Sequence, residues 1–182
     1  MDGIRFSTDA VRRREVNMII RDERPGEIAA IHALVTEAFL AAPHASGTEG
    51  AIVDALRADD ALTLSLVAMA DGALAGHAAF SPVLIDGEKC DWFGLGPVAV
   101  SPASRRRGIG HALVEAGLKR LQALGAGGCV VLGDPAYYGR FGFASDPALR
   151  FADAPAEYFQ MLRFTDETPR GDVVYHPAFY AG

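Results

Sequence analysis

The chain has 182 residues, half of them hydrophobic, and a formal net charge of -6 at pH 7. That length supports one substantial core and is short for two ordinary domains. The acidic balance argues against general nucleic-acid binding, which rests on neutralising phosphates. The two cysteines, Cys90 and Cys129, form no C-x-x-C pair, and none of the five histidines stands in a metal-ligand spacing, so no metal is expected. No apolar run is long enough for a secretion signal or a membrane span, which predicts a soluble cytoplasmic protein with reduced thiols and no membrane partner.

In chain order, residues 1–17 carry Arg12, Arg13 and Arg14 without periodicity and read as a solvated arm, leaving 18–182 as a single domain. Met18 to Arg21 (MIIR) has the composition of a short strand, broken by Arg24-Pro25-Gly26. In EIAAIHALVTEAFL the apolar residues Ile28, Ile31, Leu34, Val35, Ala38 and Phe39 recur at steps of three and four, the stripe of an amphipathic helix that ends by Pro43. A second helical pattern covers Glu49 to Arg57. Strand composition follows over about 62–70, 73–85 and 92–100, with Asp71-Gly72 and Asp86-Gly87 as turn signals between antiparallel neighbours.

From Gly108 the helical period returns, with Ile109, Leu113, Ala116, Gly117, Leu121 and Leu124 on one face, until Gly125, Gly127 and Gly128 stop it. Cys129 to Leu132 (CVVL) suits a buried strand, so strand, loop, helix and strand predict a parallel crossover. Weaker strand signals lie at 158–164 and 173–175. The fold class is therefore α/β (α+β).

The stretch SPASRRRGIGHALVEAGLKRL, Ser101 to Leu121, sets three arginines against Gly108 and Gly110 in the first turn of the helix. A glycine weakens a helix by roughly 1 kcal/mol relative to alanine, so two there imply that something approaches the backbone. The first turn leaves N–H groups without partners and carries partial positive charge, which suits a phosphate. Arg105, Arg106 and Arg107 reinforce that potential, and a diphosphate-bearing cofactor is expected. No GxxxxGK[ST] string occurs; GIGHAL has leucine where a dinucleotide fingerprint has its last glycine, and GLGPVA at 94–99 lies within a strand. Coenzyme A is the third option.

Arg105-Arg106-Arg107-Gly108-Ile109-Gly110 fits R/Q-x-x-G-x-G/A, and with the preceding LGPVAVSP it resembles the acyl-CoA motif of the GNAT superfamily of N-acetyltransferases. The order of elements agrees over roughly residues 18–145, and LGPVAVSP followed by VVLGDPAYYGRFGF looks most like the YhbS-like subgroup. The resemblance implies a mixed, largely antiparallel sheet splayed at the cofactor strand and flanked by helices. It implies acetyl-CoA as cosubstrate, its pyrophosphate on backbone N–H groups from Arg106 to His111 (chiefly Arg106, Gly108, Gly110 and His111), and main-chain pairing of Val98 and Val100 with the pantetheine amides. Gly96-Pro97 is placed to supply the bulge that splays the strands.

The implied reaction is direct attack of a primary amine, on a small molecule or a protein, upon the acetyl thioester in a ternary complex. It asks for an oxyanion donor, met by a backbone N–H near Val98, for a proton for the leaving thiolate, and for a route by which the ammonium proton leaves. Tyr138, four residues before Gly142 in Y-x-x-x-G-F, takes the family's general-acid position, with Tyr137 as its neighbouring competitor. The family's usual asparagine is replaced by Gly133-Asp134-Pro135. Glu37, Glu49 and Asp91 lie on segments that could border the acceptor, yet each reads more readily as an ordinary surface carboxylate, and no general base is assigned. His77 reads as a strand residue, Trp92 and Phe93 as core or pocket wall, and Arg140 as a loop anchor. The alternative reading is an inactive acyl-CoA-binding sensor or interaction module. Pairing of two chains, through FADAPAEYFQMLRF and the N-terminal arm, is left open.

Overall fold

In the computed structural model the described residues are 17–40, 42, 43 and 45–181, so the expected arm at 1–17 lies, except for Asn17, outside them. The elements are β1 (Met18–Asp22), α1 (Ile28–Phe39), α2 (Glu49–Ala58), β2 (Leu64–Ala70), β3 (Ala73–Ile85), β4 (Glu88–Val100), α3 (Ile109–Ala123), β5 (Gly128–Leu132), α4 (Pro135–Tyr138), β6 (Leu149–Arg150), β7 (Phe159–Arg163) and β8 (Gly171–Val174). The sheet runs β1-β2-β3-β4-β5-β7, antiparallel except for the β4 and β5 pair. β8 adds to the far end of β3, at Leu84 and Ile85, and carries β6 beside it.

Alternation along the strands builds two layers on this sheet. Leu66, Ala68, Ala78 and Phe80 face α3, whose Ile109, Leu113, Val114 and Leu121 complete that core. Their neighbours Val67 and Ala99 face the other way, onto Ile31, Val35 and Val53 of α1 and α2. A third cluster, with Trp92, Val130, Met161 and Tyr175, fills the end of the sheet under the C-terminal segment.

The Asp-Gly turns form as expected. Asp71 and Gly72 take φ of 51° and 84°, and Asp86 and Gly87 take 50° and 78°. Two positive φ values in a two-residue loop match the right-handed twist of the flanking strands. β4 accordingly starts at Glu88, four residues before the sequence pattern becomes apolar. The short α4 and the two-residue β6 have no periodicity of their own and were not anticipated. No helix among the described residues is long and apolar enough to cross a membrane.

Candidate functional site

The site begins where β4 leaves its neighbour. Ala78 pairs with Val98 and Phe80 with Leu95, so Gly96 and Pro97 together stand opposite Ala79: the bulge expected at Gly96-Pro97. On its other edge β4 pairs with β5 only from Trp92 to Leu95. Beyond Leu95 that edge of β4 is unpaired, inside the sheet rather than at its rim. Ser101 N–H donates to Ala75 O at 2.9 Å, toward β3. Main-chain groups alternate in direction along a strand, so Ala99 also faces β3 while Val98 and Val100 turn theirs to the unpaired edge.

The chain then passes through a single 3-10 turn, Pro102–Ser104, into the glycine loop. Arg106 and Gly108 adopt left-handed φ of 62° and 76°, a conformation that costs an ordinary residue roughly 1–2 kcal/mol and glycine little. No side chain caps α3, and Ala112 N–H already takes Gly108 O at 3.0 Å. The amides of Ile109, Gly110 and His111 therefore open the helix toward solvent. The arginines divide their tasks: Arg105 Nη2 donates to Ala38 O at 2.9 Å, tying the loop to the end of α1, and Arg107 Nη2 meets the Asp71 carboxylate at 2.7 Å. The His111 ring stacks on Phe141 with centroids 4.8 Å apart and approaches Glu115 at 3.8 Å, so it is the amide of His111 that belongs to the loop.

Tyr137 and Tyr138 reach the site from α4, which starts where Asp134 accepts from Ala136 N–H at 2.9 Å. Tyr138 packs edge-on against Tyr137 and Phe143, with centroids 5.0 and 6.0 Å away, and burial pushes its phenol well above the ordinary value. It borders a cleft of about 530 Å³ together with Gly96, Pro97, Val98, Leu132 and Gly133. Tyr137 lies outside that lining. Its hydroxyl faces the glycine loop, where a Cβ on Gly110 would sit 3.0 Å from it, and the Arg140 guanidinium covers its ring at 4.5 Å.

The cleft's opposite wall comes from α1, α2 and the C-terminal segment, and it contains Glu49. Glu49 sits at the start of α2, drawn against α1 because Gly50 has no side chain: a Cβ there would fall 2.5 Å from Thr36 Oγ1. One carboxylate oxygen, Oε1, accepts from the Ser46 amide at 2.8 Å and from its hydroxyl at 3.2 Å. The other, Oε2, is buried without a partner, as is the Tyr175 hydroxyl in the same wall. Asp91 instead lines a separate groove with Cys90 and Trp92, and Glu37 is absent from the cleft lining. Of the three carboxylates that the sequence offered as bordering the acceptor, Glu49 alone lines this cleft. Tyr175, which the sequence marks only as the end of a weak strand signal at 173–175, joins the lining because the segment after β8 packs against the cleft.

His77, fully buried, belongs to a different arrangement on the α1/α2 face. Its Nε2 lies 2.8 Å from Ser65 Oγ, which donates to Glu23, itself held by Arg57 at 2.7 and 2.8 Å. Its Nδ1 has no partner. Burial pushes the imidazole down to about 4. Trp92 is core, and Phe93 packs half-buried against the first cluster. Among the described residues no group of three or more His, Cys, Asp or Glu side chains could hold a metal ion.

The outward amides of Val98 and Val100, continuous with the uncapped start of α3, match an extended ligand that carries amides along one arm and a diphosphate at its end. Residues 28–143 match the Acetyltransferase (GNAT) family. The chain is 40% identical over 169 residues to the uncharacterized N-acetyltransferase YhbS of Escherichia coli, covering 89% of this chain and 98% of that one. A GNAT family acetyltransferase from Brucella melitensis, solved in complex with acetyl-CoA, shares 51% identity at a TM-score of 0.80, over 89% of this chain and 97% of that one. YhbS of Escherichia coli, solved in complex with CoA, superposes at a TM-score of 0.83 with 38% identity, over 91% and 93% of the two chains. With a family match over well over half its length and relatives that span nearly all of it, this chain belongs to the GNAT family of acetyltransferases.

Proposed function

We propose that this protein is an acetyl-CoA-dependent N-acetyltransferase that acts on a primary amine by direct attack in a ternary complex. The observation that carries the reading is the meeting, in one cleft, of the β4 bulge, the neutral phenol of Tyr138 and the half-satisfied carboxylate of Glu49. The acetyl-CoA and CoA complexes of the Brucella and Escherichia relatives support the cosubstrate. So does the fit of the loop: Gly108 and Gly110 leave the start of α3 approachable, and a Cβ at Gly110 would crowd the Tyr137 hydroxyl.

In this reading the amides of Gly108, Gly110 and His111 receive the pyrophosphate, with Arg106 contributing its own amide and local positive charge. Arg105 and Arg107 hold the loop through Ala38 and Asp71. Val98 and Val100 bind the pantetheine arm through their main chain, and Val98 N–H faces the carbonyl oxygen as charge develops on it. The amine lone pair forms the N–C bond and the C–S bond breaks with its electron pair on sulfur. Tyr138 gives its hydroxyl proton to that sulfur, and the surplus proton on nitrogen replaces it.

Burial keeps the phenol protonated across the physiological range. An unperturbed thiol titrates near 8.5, below a phenol, but the same desolvation raises the basicity of a thiolate formed beside it, so the transfer accompanies C–S cleavage. Mixing the protein with acetyl-CoA and a panel of amines, while monitoring free thiol, tests the proposal. Amine-dependent thiol release is expected; acetyl-CoA binding without release to any amine would favour the sensor reading instead.

A further inference from the structure

The acceptor wall of the cleft has a chemistry of its own. Phe39, Phe151, Phe179 and Tyr180 give it an apolar, largely aromatic surface. Behind that surface, on two of its lining residues, lie one carboxylate oxygen, Glu49 Oε2, and one hydroxyl, Tyr175 OH, both buried and both without a hydrogen-bond partner. Glu49 is 8% exposed and Tyr175 7%. A buried acceptor left unmatched costs roughly 1–3 kcal/mol, more for a charged group, so such a pair is retained where something else completes it. The first oxygen of Glu49 is fixed by Ser46, and the second keeps its acceptor capacity unused.

We infer that the acceptor is a small amine borne on an apolar or aromatic arm and lacking a carboxylate beside the nitrogen, with Glu49 Oε2 and the Tyr175 hydroxyl as its ammonium-recognition site. This rests on the acetyltransferase reading and extends it to the substrate class. An ammonium supplies the donors that an orphaned carboxylate oxygen lacks, the attraction is strengthened by burial, and one ammonium proton passes to Glu49 Oε2 before the freed lone pair attacks the thioester. The aromatic walls remove the arm from water, and their ring faces favour a cation at the entrance. No lysine, arginine or histidine lines the cleft among the described residues. The carboxylate of an amino acid would therefore enter unpaired, next to a like charge and against apolar rings.

The test compares 2-phenylethylamine, butylamine and L-phenylalanine as acceptors for the full chain, by thiol release from acetyl-CoA and by calorimetric binding to the protein held with CoA. We expect kcat/KM for 2-phenylethylamine at least tenfold above that for L-phenylalanine, with butylamine between them. Glu49→Gln keeps an oxygen for Ser46 but removes the charge; it should weaken 2-phenylethylamine binding at least tenfold and leave acetyl-CoA affinity within twofold of wild type. Tyr175→Phe should weaken the amine by a smaller factor. Equal use of amine and amino acid by the wild-type protein, or unchanged amine binding by Glu49→Gln, overturns the inference. If acetyl-CoA binds but the amine pattern fails, only the acceptor class falls. If acetyl-CoA itself does not bind, the acetyltransferase reading falls and takes this inference with it.

Discussion

The two sides of the cleft are built from different materials. The donor side is main chain: a bulged strand edge, a glycine loop and the uncapped start of α3. The acceptor side is side chain: Glu49, Tyr175 and aromatic rings supplied by α1, α2, the segment between α4 and β7, and the C-terminus. A site made of backbone depends on local conformation and tolerates changes in most side chains. One made of side chains depends on how distant segments pack, and a few substitutions reshape it. Family members can thus share one cosubstrate while their acceptors differ.

The largest effect that could break this contrast is at Tyr138, the side chain to which the proposed mechanism assigns proton donation. Tyr138→Phe keeps the ring packed against Phe143 but removes the transferable proton. Steady-state kinetics should show kcat falling about 10²–10⁴-fold, the usual range for a positioned acid, with the Kd for CoA unchanged. Full activity with chemistry rate-limiting would remove Tyr138 from the mechanism.

Next in size is the acid stability of the face that supports the acceptor wall. His77 titrates near 4 in the fold and near 6.5 when unfolded, so the unfolded chain binds more protons between those values. Its contribution is fully present above pH 6.5 and lost as pH falls to about 4, on the order of 3 kcal/mol in all. Glu23 adds a loss of the same sign at lower pH: burial pushes its carboxyl up, but hydrogen bonds from Arg57 and Ser65 outweigh that and hold it below the usual range. Denaturant unfolding across pH 4–7 should show this slope, flattened in His77→Gln.

Smaller effects sharpen the claim that the donor side is backbone. Gly108→Val forces a β-branched residue to φ near 76° at the loop proposed to receive the diphosphate; CoA affinity should drop at least about tenfold by titration calorimetry, with a conformational cost near 1–2 kcal/mol. Arg107→Ala removes a partly exposed ion pair to Asp71 worth at most about 1 kcal/mol, and CoA affinity should change less than about threefold. If Arg107→Ala proved the more damaging, charge rather than loop shape would govern cofactor binding.

The same contrast explains what could be read in advance. The glycine loop and the Gly96-Pro97 bulge are each a short local stretch whose conformation only a few residue types satisfy, and their shapes were legible in the sequence. The long strands and helices carry unbroken periods, so α1, α3, β3 and β5 were legible from apolar spacing. Glu49 was only one of three carboxylates because its selection depends on Gly50 lying against Thr36, a contact between helices. Tyr175 carried only a weak strand signal and none for the cleft: β8 is four residues long, and its pairing with β3 is set by tertiary packing rather than pattern.

The parting of β4 from β5 has a consequence beyond catalysis. A sheet interrupted in its middle forgoes hydrogen bonds there, and any ligand that runs along β4 in the manner of a strand restores them. Occupancy then feeds directly into folding free energy, by RT ln(1 + [L]/Kd). On the proposed reading, saturating CoA or acetyl-CoA should therefore slow proteolysis of the folded protein, since either form of the cofactor lies along the same open edge.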